Sequence, residues 1–384
     1  MNKDRRQLLG TVLATTLASW GLPGAAWAQG KAAAGPRKIV LGQSVPLTGA
    51  ADQIGLAFAG GAKLYFDEFN ARKNNPGWTF ELRQMDDGYT AAKAAANAKK
   101  LLDDGADILF GFVGTGTTDA AGELATKEGA LFFAPFAASD KLRDRNRANV
   151  FHVRPSLSDE AFKMVRHCAT LGQDRLAVVA EDDAMGRAGL AAIQQAMADQ
   201  KLPPLVAQAF VPVNSDKVDE AVATILKAQP HAVLQVSLFN STAAFIRKMR
   251  KTGYIGSFLN FSVVGIDPLF TALGKDIGGV VVSQVVPSPR QSATPIVKEY
   301  LAAIDNSDQT PSYEGLEGFI AAKTLAEAVR RAGKTWDKAS LQKTMAAMTD
   351  YDVGGFRINL RAGVRDSVRA IDLVSITPDG KIVR

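Results

Sequence analysis

The sequence predicts an α/β protein made of two doubly wound, mostly parallel-sheet lobes joined by a hinge of several chain crossings. Three observations predict it. Apolar strand-like runs alternate with helical patterns, as parallel sheets covered on both faces require. The alternation pauses at Arg154-Pro155 and then restarts, so a second sheet follows the first. The 384-residue chain, even without residues 1–28, is also longer than one hydrophobic core usually holds.

Residues 1–28 read as an export signal: Lys3, Arg5 and Arg6 precede an apolar run through Ala18 and a small-residue cleavage site at Ala26-Trp27-Ala28. The Arg5-Arg6 pair is twin-arginine-like, but Asp4 and Leu8 depart from the usual flanks, so general secretion and twin-arginine export both stay open. No other stretch offers the roughly 18 uninterrupted apolar residues of a membrane-spanning helix. A soluble, periplasmic mature protein is expected. Removing Lys3, Arg5 and Arg6 together with Asp4 takes the net charge from +6 to +4. Basic residues are scattered except at 141–147, where Arg143, Arg145 and Arg147 read as a solvated loop, and no nucleic-acid motif accompanies them. The single cysteine, Cys168, excludes an intramolecular disulfide.

After a flexible, low-complexity segment at 29–36, the run Lys38 to Gly42 reads as a buried strand ending in Ser44-Val45-Pro46-Leu47-Thr48-Gly49. A helix from Gly55 to Arg72 follows, with Phe58, Ala62, Tyr65, Phe66 and Phe69 at helical spacing. The next units repeat the beat: strand 79–85 and helix 91–102, strand 107–110 and helix 119–128, strand 130–134, and a short strand at 150–153. The second series runs strand 175–180, helix 187–199, strand 205–211, helix 216–228, strand 231–237, helix 242–252, then strands at 258–261 and 279–286. Helices at 294–304, 316–332 and 338–348 have no new strands between them and must cover an existing sheet, assigned here to the first lobe. Strands at 356–359 and 370–377 are assigned to the second. The lobes are therefore 37–154 with 287–353, and 155–286 with 354–384, crossing near Arg154-Pro155, Val286-Pro287 and Gly354-Gly355. Parallel crossings of this kind form a hinge, and a cleft between hinged lobes traps a ligand.

The stretch Gly111-Phe112-Val113-Gly114-Thr115-Gly116-Thr117-Thr118 lies between a strand and a helix, where open α/β sheets bind ligands. Its glycines let backbone approach a ligand and its threonines offer hydroxyls, so a carboxylate suits it. The local alternative is a threonine that only caps a helix starting near Asp119. A P-loop is excluded because no Lys follows the last Gly.

Taken in order, the export signal, Ser44 to Gly49, Asp86-Asp87, the Gly111 to Thr118 turn and Ala180-Glu181-Asp182-Asp183-Ala184-Met185-Gly186 resemble the periplasmic solute-binding proteins of branched-chain amino-acid ABC importers. The resemblance implies the type I periplasmic binding fold, a solute with a carboxylate, a membrane ABC permease as partner, a monomer, and no cofactor. It places Thr115, with Gly114 and Thr117, on the carboxylate, completed by Phe136, Ala137, Ala138 and Ser139. From the second lobe it brings Met185, where the family has an aromatic, and Phe239 or Leu238. The family's acid for the solute amine falls at Ser262, which is no carboxylate. Either another acid such as Asp182, Asp183, Glu314 or Glu317 reaches the cleft, or the solute lacks an α-amino group, since a buried ammonium without a partner is costly.

Catalysis has little support. His152, His167 and His231 are far apart and form no metal-ligand spacing, and no GxSxG elbow is present. His167 and Cys168 are neighbours, and adjacent helical residues point about 100° apart. The expected protein is not an enzyme and binds no metal; a ligand sensor for a membrane receptor is the alternative, and an α/β enzyme a more distant one.

Overall fold

The computed structural model describes residues 37–74, 77–137, 139–144, 146–291, 293–364 and 366–383. The export signal, the 29–36 segment, Ala138 and Arg145 lie outside the described residues.

The first sheet is built from β1 (Arg37–Val45), α1 (Asp52–Ala71), β2 (Trp78–Asp86), α2 (Ala91–Asp103), β3 (Ile108–Phe110), α3 (Thr115–Lys127), β4 (Leu131–Phe133) and β5 (Val150–Phe151). Its strand order is β2-β1-β3-β4-β5, and every pairing is parallel. Next come α4 (Leu157–Thr170), β6 (Leu176–Glu181), α5 (Ala184–Asp199), β7 (Ala207–Val211), α6 (Asp219–Ala228), β8 (Ala232–Val236), α7 (Phe239–Lys251), β9 (Ser257–Asn260), α8 (Ile266–Leu273) and β10 (Val280–Gln284). The chain ends with α9 (Pro295–Ile304), α10 (Tyr313–Ala332), α11 (Lys338–Ala346), β11 (Tyr351–Asp352), β12 (Arg357–Ile358), β13 (Asp372–Ile376) and β14 (Ile382–Val383). The second sheet has the order β14-β13-β10-β9-β8-β6-β7, parallel except where β13 and β14 return antiparallel.

The predicted alternation and the two sheets are present. The sequence reading omits α4, although Ser156 and Asp159 form a full capping box at its start, a local signal for a helix. It also omits α8. Of the late helices, α10 lies along α1, and glycines set the distance. A Cβ at Gly61 would stand 1.8 Å from the Gly315 carbonyl oxygen, and one at Gly318 2.0 Å from that of Phe58. No side chain fits between these backbones. On the inner face of α1, Phe58, Phe66 and Phe69 meet Phe80 of β2 and Phe110 of β3 in stacked, tilted and edge-to-face pairs at 4.8–6.4 Å. Burying side chains of this size contributes roughly 1.5–3 kcal/mol each, and this face anchors the lobe.

Two expectations are corrected. The 356–359 segment does not join the second sheet: β12 pairs with β11, because Gly354 and Gly355 take positive φ and both donate to Asp352 Oδ1, closing a hairpin. The third crossing therefore comes later, between Ala362, whose carbonyl accepts from Arg143, and Ser367, whose N–H donates to Asp159 on α4. Arg143 is no solvated loop residue either. It is buried, and its guanidinium donates to the carbonyls of Arg154 (2.6 Å) and Ala362 (3.2 Å), tying two crossings together. Burial brings its pKa down to about 10.

Candidate functional site

The carboxyl ends of both sheets face one another across a cleft. Strands β3 and β4 each take a left-handed residue as they leave the sheet, Gly111 (φ 61°) and Ala134 (φ 51°), and pair again at Val113 and Phe136. This second pairing carries both loops outward to the cleft. It also uses the Gly114 N–H, which donates to the Phe136 carbonyl at 3.1 Å.

Helix α3 starts at Thr115, four residues earlier than the sequence predicts, with Gly114 (φ 101°) as its N-cap. The Thr117 and Thr118 hydroxyls turn back onto carbonyls of Val113, Gly114 and Thr115. Among the described residues none bonds the Thr115 hydroxyl. That hydroxyl and the N-terminal end of α3 are thus the polar features this loop presents, and the positive end of the helix favours an anion.

Around them lies a small cavity of about 20 Å³. The first lobe supplies Ala51, Ile54, Tyr89, Val113, Gly114, Thr115, Phe136 and Ala137; the second supplies Leu157, Met185, Leu238 and Val263. Two wider grooves flank it between the lobes. One, of about 920 Å³, is lined by Asp119, Ser139, Asp140, Asp183 and Arg187, the other, of about 430 Å³, by Gln53, Asp267, Gln309 and Glu314. Lined by apolar side chains with the Thr115 hydroxyl, Tyr89 and a helix end, the cavity has the composition of a site for a small amphipathic molecule.

Thr115, Gly114, Phe136, Ala137 and Met185 of the expected residues meet at this cavity. Thr117 stands within the first turn of α3 with its hydroxyl already bonded. Ser139 opens onto the wider groove beside Asp119, whose carboxyl is raised by burial against the opposing pull of that hydroxyl. Leu238, the alternative named for its position, lines the cavity, whereas Phe239 begins α7 and packs on the core. Ser262 stands behind the cavity: its hydroxyl accepts from Arg154 Nη2 at 2.5 Å and its N–H donates to Glu160 at 2.8 Å.

Sequence reasoning missed Tyr89. It follows Asp86-Asp87-Gly88, adopts φ 62°, and lays its ring against Gly114. A non-glycine residue in this region is strained and is enriched at functional sites. Two carboxylates hold it there. Asp87 accepts from the Tyr89 N–H (2.9 Å), and Asp86 gathers Leu47, Thr48 and Gly88. Burial, reinforced by Asp183 and Glu181 across the cleft, raises its phenol well above the ordinary range.

Arg154 sits where the chain first crosses between the lobes, with its guanidinium 4.4 Å above the Phe136 ring. It is flanked by Glu160 of α4 at 3.5 Å and Glu317 of α10 at 3.6 Å. Burial raises Glu317 to about 7 against the lowering pull of Arg154, and burial also raises Glu314 to about 7. Of the acids weighed for the solute amine, Asp182 pairs with Arg187 in the open, Asp183 caps α5, and Glu314 and Glu317 are buried beside the cleft. Among the described residues no group of three His, Cys, Asp or Glu is arranged to hold a metal ion.

A family model described as periplasmic binding protein matches residues 38–381. A Leu/Ile/Val-binding protein of Rhizobium johnstonii is 23% identical over 306 residues, which is 78% of this chain and 81% of that protein. A solved substrate-binding periplasmic protein from Ralstonia solanacearum is similar at TM-score 0.82 and 27% identity, over 90% of this chain and 99% of that one. A branched chain amino acid ABC transporter structure from Thermus thermophilus with bound valine reaches TM-score 0.81 at 17% identity, over 91% and 96%, a likeness of fold. The matched span runs from β1 to the final strands and takes in both walls of the cavity, so the chain belongs to the periplasmic binding protein family and has its type I fold.

Proposed function

We propose that this protein captures a small carboxylate-bearing solute in the periplasm by lobe closure and delivers it, as a monomer, to an ABC permease. The observation that carries the reading is the free Thr115 hydroxyl at the N-terminal end of α3, at a largely apolar cavity between two lobes. The lobes we propose are 37–154 with 287–362 and 155–286 with 366–383, a division supported by the packing of α9 and α10 on α1 and by the Arg143 and Ser367 bonds.

The solute class is a branched-chain amino acid or an organic acid of similar shape. Apolar side chains at Ile54, Met185, Leu238 and Val263 suit an aliphatic or aromatic tail. The Arg154–Ser262 bond favours the acid without an amine, because it puts a guanidinium charge beside the hydroxyl where an ammonium would need an acceptor. At about 20 Å³ the cavity holds little more than a water molecule, so solute entry requires the lobes to part. Contacts made only in the closed form would then shift the equilibrium toward closure.

A thermal-shift screen of the protein from Gln29 onward, against the protein amino acids and a panel of aliphatic and aromatic carboxylates, tests the reading. A solute that binds the native state alone raises the melting temperature. At least one carboxylate is expected to do so, and Thr115→Val to remove most of the shift. No shift from either set would sink the proposal.

A further inference from the structure

Beneath the second-lobe wall lies a polar cluster that the solute contacts do not use. Glu181, the last residue of β6, is fully buried. Its Oε1 accepts from three donors, two on the loops after β7 and β8 and one in the first turn of α7: the Asn214 N–H at 2.8 Å, the Leu238 N–H at 3.1 Å and the Ser241 hydroxyl at 2.7 Å. Ser241 Oγ in turn accepts from the Ser215 N–H at 2.9 Å. Asn214 has left-handed backbone (φ 46°), a conformation asparagine tolerates better than most residues, and its Oδ1 accepts from the Asn240 N–H at 3.2 Å. Its remaining group, Nδ2, reaches across the cleft and donates to the Ala50 carbonyl at 2.7 Å.

The two ends of this network meet the same cavity. Leu238, fixed at one end by Glu181, lines it from the second lobe, and Ala51, next to the latched carbonyl, lines it from the first. We infer that Glu181 is a positioning residue which holds Asn214 as a latch on Ala50, so that one buried carboxylate sets both the second-lobe solute contact and the closure of the lobes. A carboxylate that only braced its own lobe would not require the Asn214 side chain to end on the other one. The bond Asn214 makes there exists only while the lobes are together, so it weights the closed form.

The inference rests on the lobe-closure reading, and one experiment separates them. Spin labels on Lys99→Cys in α2 and Lys227→Cys in α6, both exposed, report the interlobe distance without any solute; the native Cys168 is buried. The parent protein is expected to show a closed and an open population. Asn214→Asp exchanges the one donor for an acceptor while keeping Oδ1 and the left-handed backbone, and it is expected to lower the closed-to-open ratio roughly fivefold with the melting temperature little changed. Glu181→Gln keeps an acceptor at Oε1 and is expected to retain the ratio within about twofold, whereas Glu181→Leu is expected to lose it. If Glu181→Leu does not fold, the Asn214→Asp result decides. Two populations in the parent with an unchanged ratio in Asn214→Asp overturn the latch and leave closure standing. A single distance in every variant overturns both.

Discussion

The first-lobe wall of the cavity mixes backbone and small residues, Gly114, Thr115, Ala137 and Ala51, with the larger Ile54, Tyr89, Val113 and Phe136; the second-lobe wall is made only of longer apolar side chains, Leu157, Met185, Leu238 and Val263. One wall offers a fixed dipole and a hydroxyl, and the other offers a shape. Their supports differ in the same way. Behind the first wall lies an aromatic core, with Phe58 at 5.2 Å edge-on to Phe136. Behind the second are buried polar residues: Glu181 under Leu238, and Glu160 with Ser262 beside Val263. On the proposed reading, recognition of the carboxylate and choice of the rest of the solute are separable tasks that fall to walls with different supports.

The largest break in this comparison should come from the first wall. A Cβ at Gly114 would stand 2.5 Å from the Tyr89 ring and would have to adopt φ 101°. Gly114→Ala is expected to lower unfolding free energy by about 3 kcal/mol in chemical denaturation, summing strain and overpacking, and to remove solute binding. Gly116→Ala, whose Cβ finds its nearest neighbour at 3.5 Å in Ala184, should leave stability nearly intact.

A comparable effect is expected from the acids near the hinge. Glu314 and Glu317 are raised to about 7 by burial from an ordinary value of 4.5. A carboxyl raised in the folded chain stabilises it when protonated, so this contribution is complete below about 4.5 and is lost as pH rises through 7. Each is worth on the order of 3 kcal/mol. Melting temperature should fall between pH 5 and pH 8, and Glu314→Gln with Glu317→Gln should flatten that slope. A parallel slope in the double variant would place the titration elsewhere.

Thr115→Val comes next. It deletes one hydrogen bond to a charged group, about 1.5–3 kcal/mol, and titration calorimetry with the solute found by the screen should show affinity reduced roughly ten- to a hundredfold. The smallest expected effects sharpen the second wall. Leu238→Ala should weaken binding by about tenfold through lost apolar contact, while Phe239→Ala should change it less than about twofold because that ring packs away from the cavity.

The alternating strands, the helices that return to the first sheet, and the glycine and threonine turn were all legible because each rests on local pattern. The start of α3 was not. Gly114-Thr115-Gly116-Thr117-Thr118 has poor helix propensity, yet the helix begins there, with the threonine hydroxyls bonded back to carbonyls of the preceding turn. Arg143 and Arg154 were illegible for a different reason: their partners Ala362, Glu317 and Ser262 are more than a hundred residues away. Glu181 sits in a run, Ala180 to Asp183, that reads as an exposed acidic loop, and nothing local distinguishes the one carboxylate that turns inward. Tyr89 had a weak signal in the glycine before it, which permits the turn that Tyr89 continues.

The glycine-to-glycine seam between α1 and α10 has a consequence for how the chain is made. Helix α1 is complete by residue 71, but the helix that seals it does not begin until residue 313. During synthesis, the side of α1 that carries Gly61 and Tyr65, which meets Gly315 and Phe319 of α10, must wait uncovered while β6 to β10 of the second sheet emerge. A chain in that condition is adhesive and is a natural client for holding chaperones.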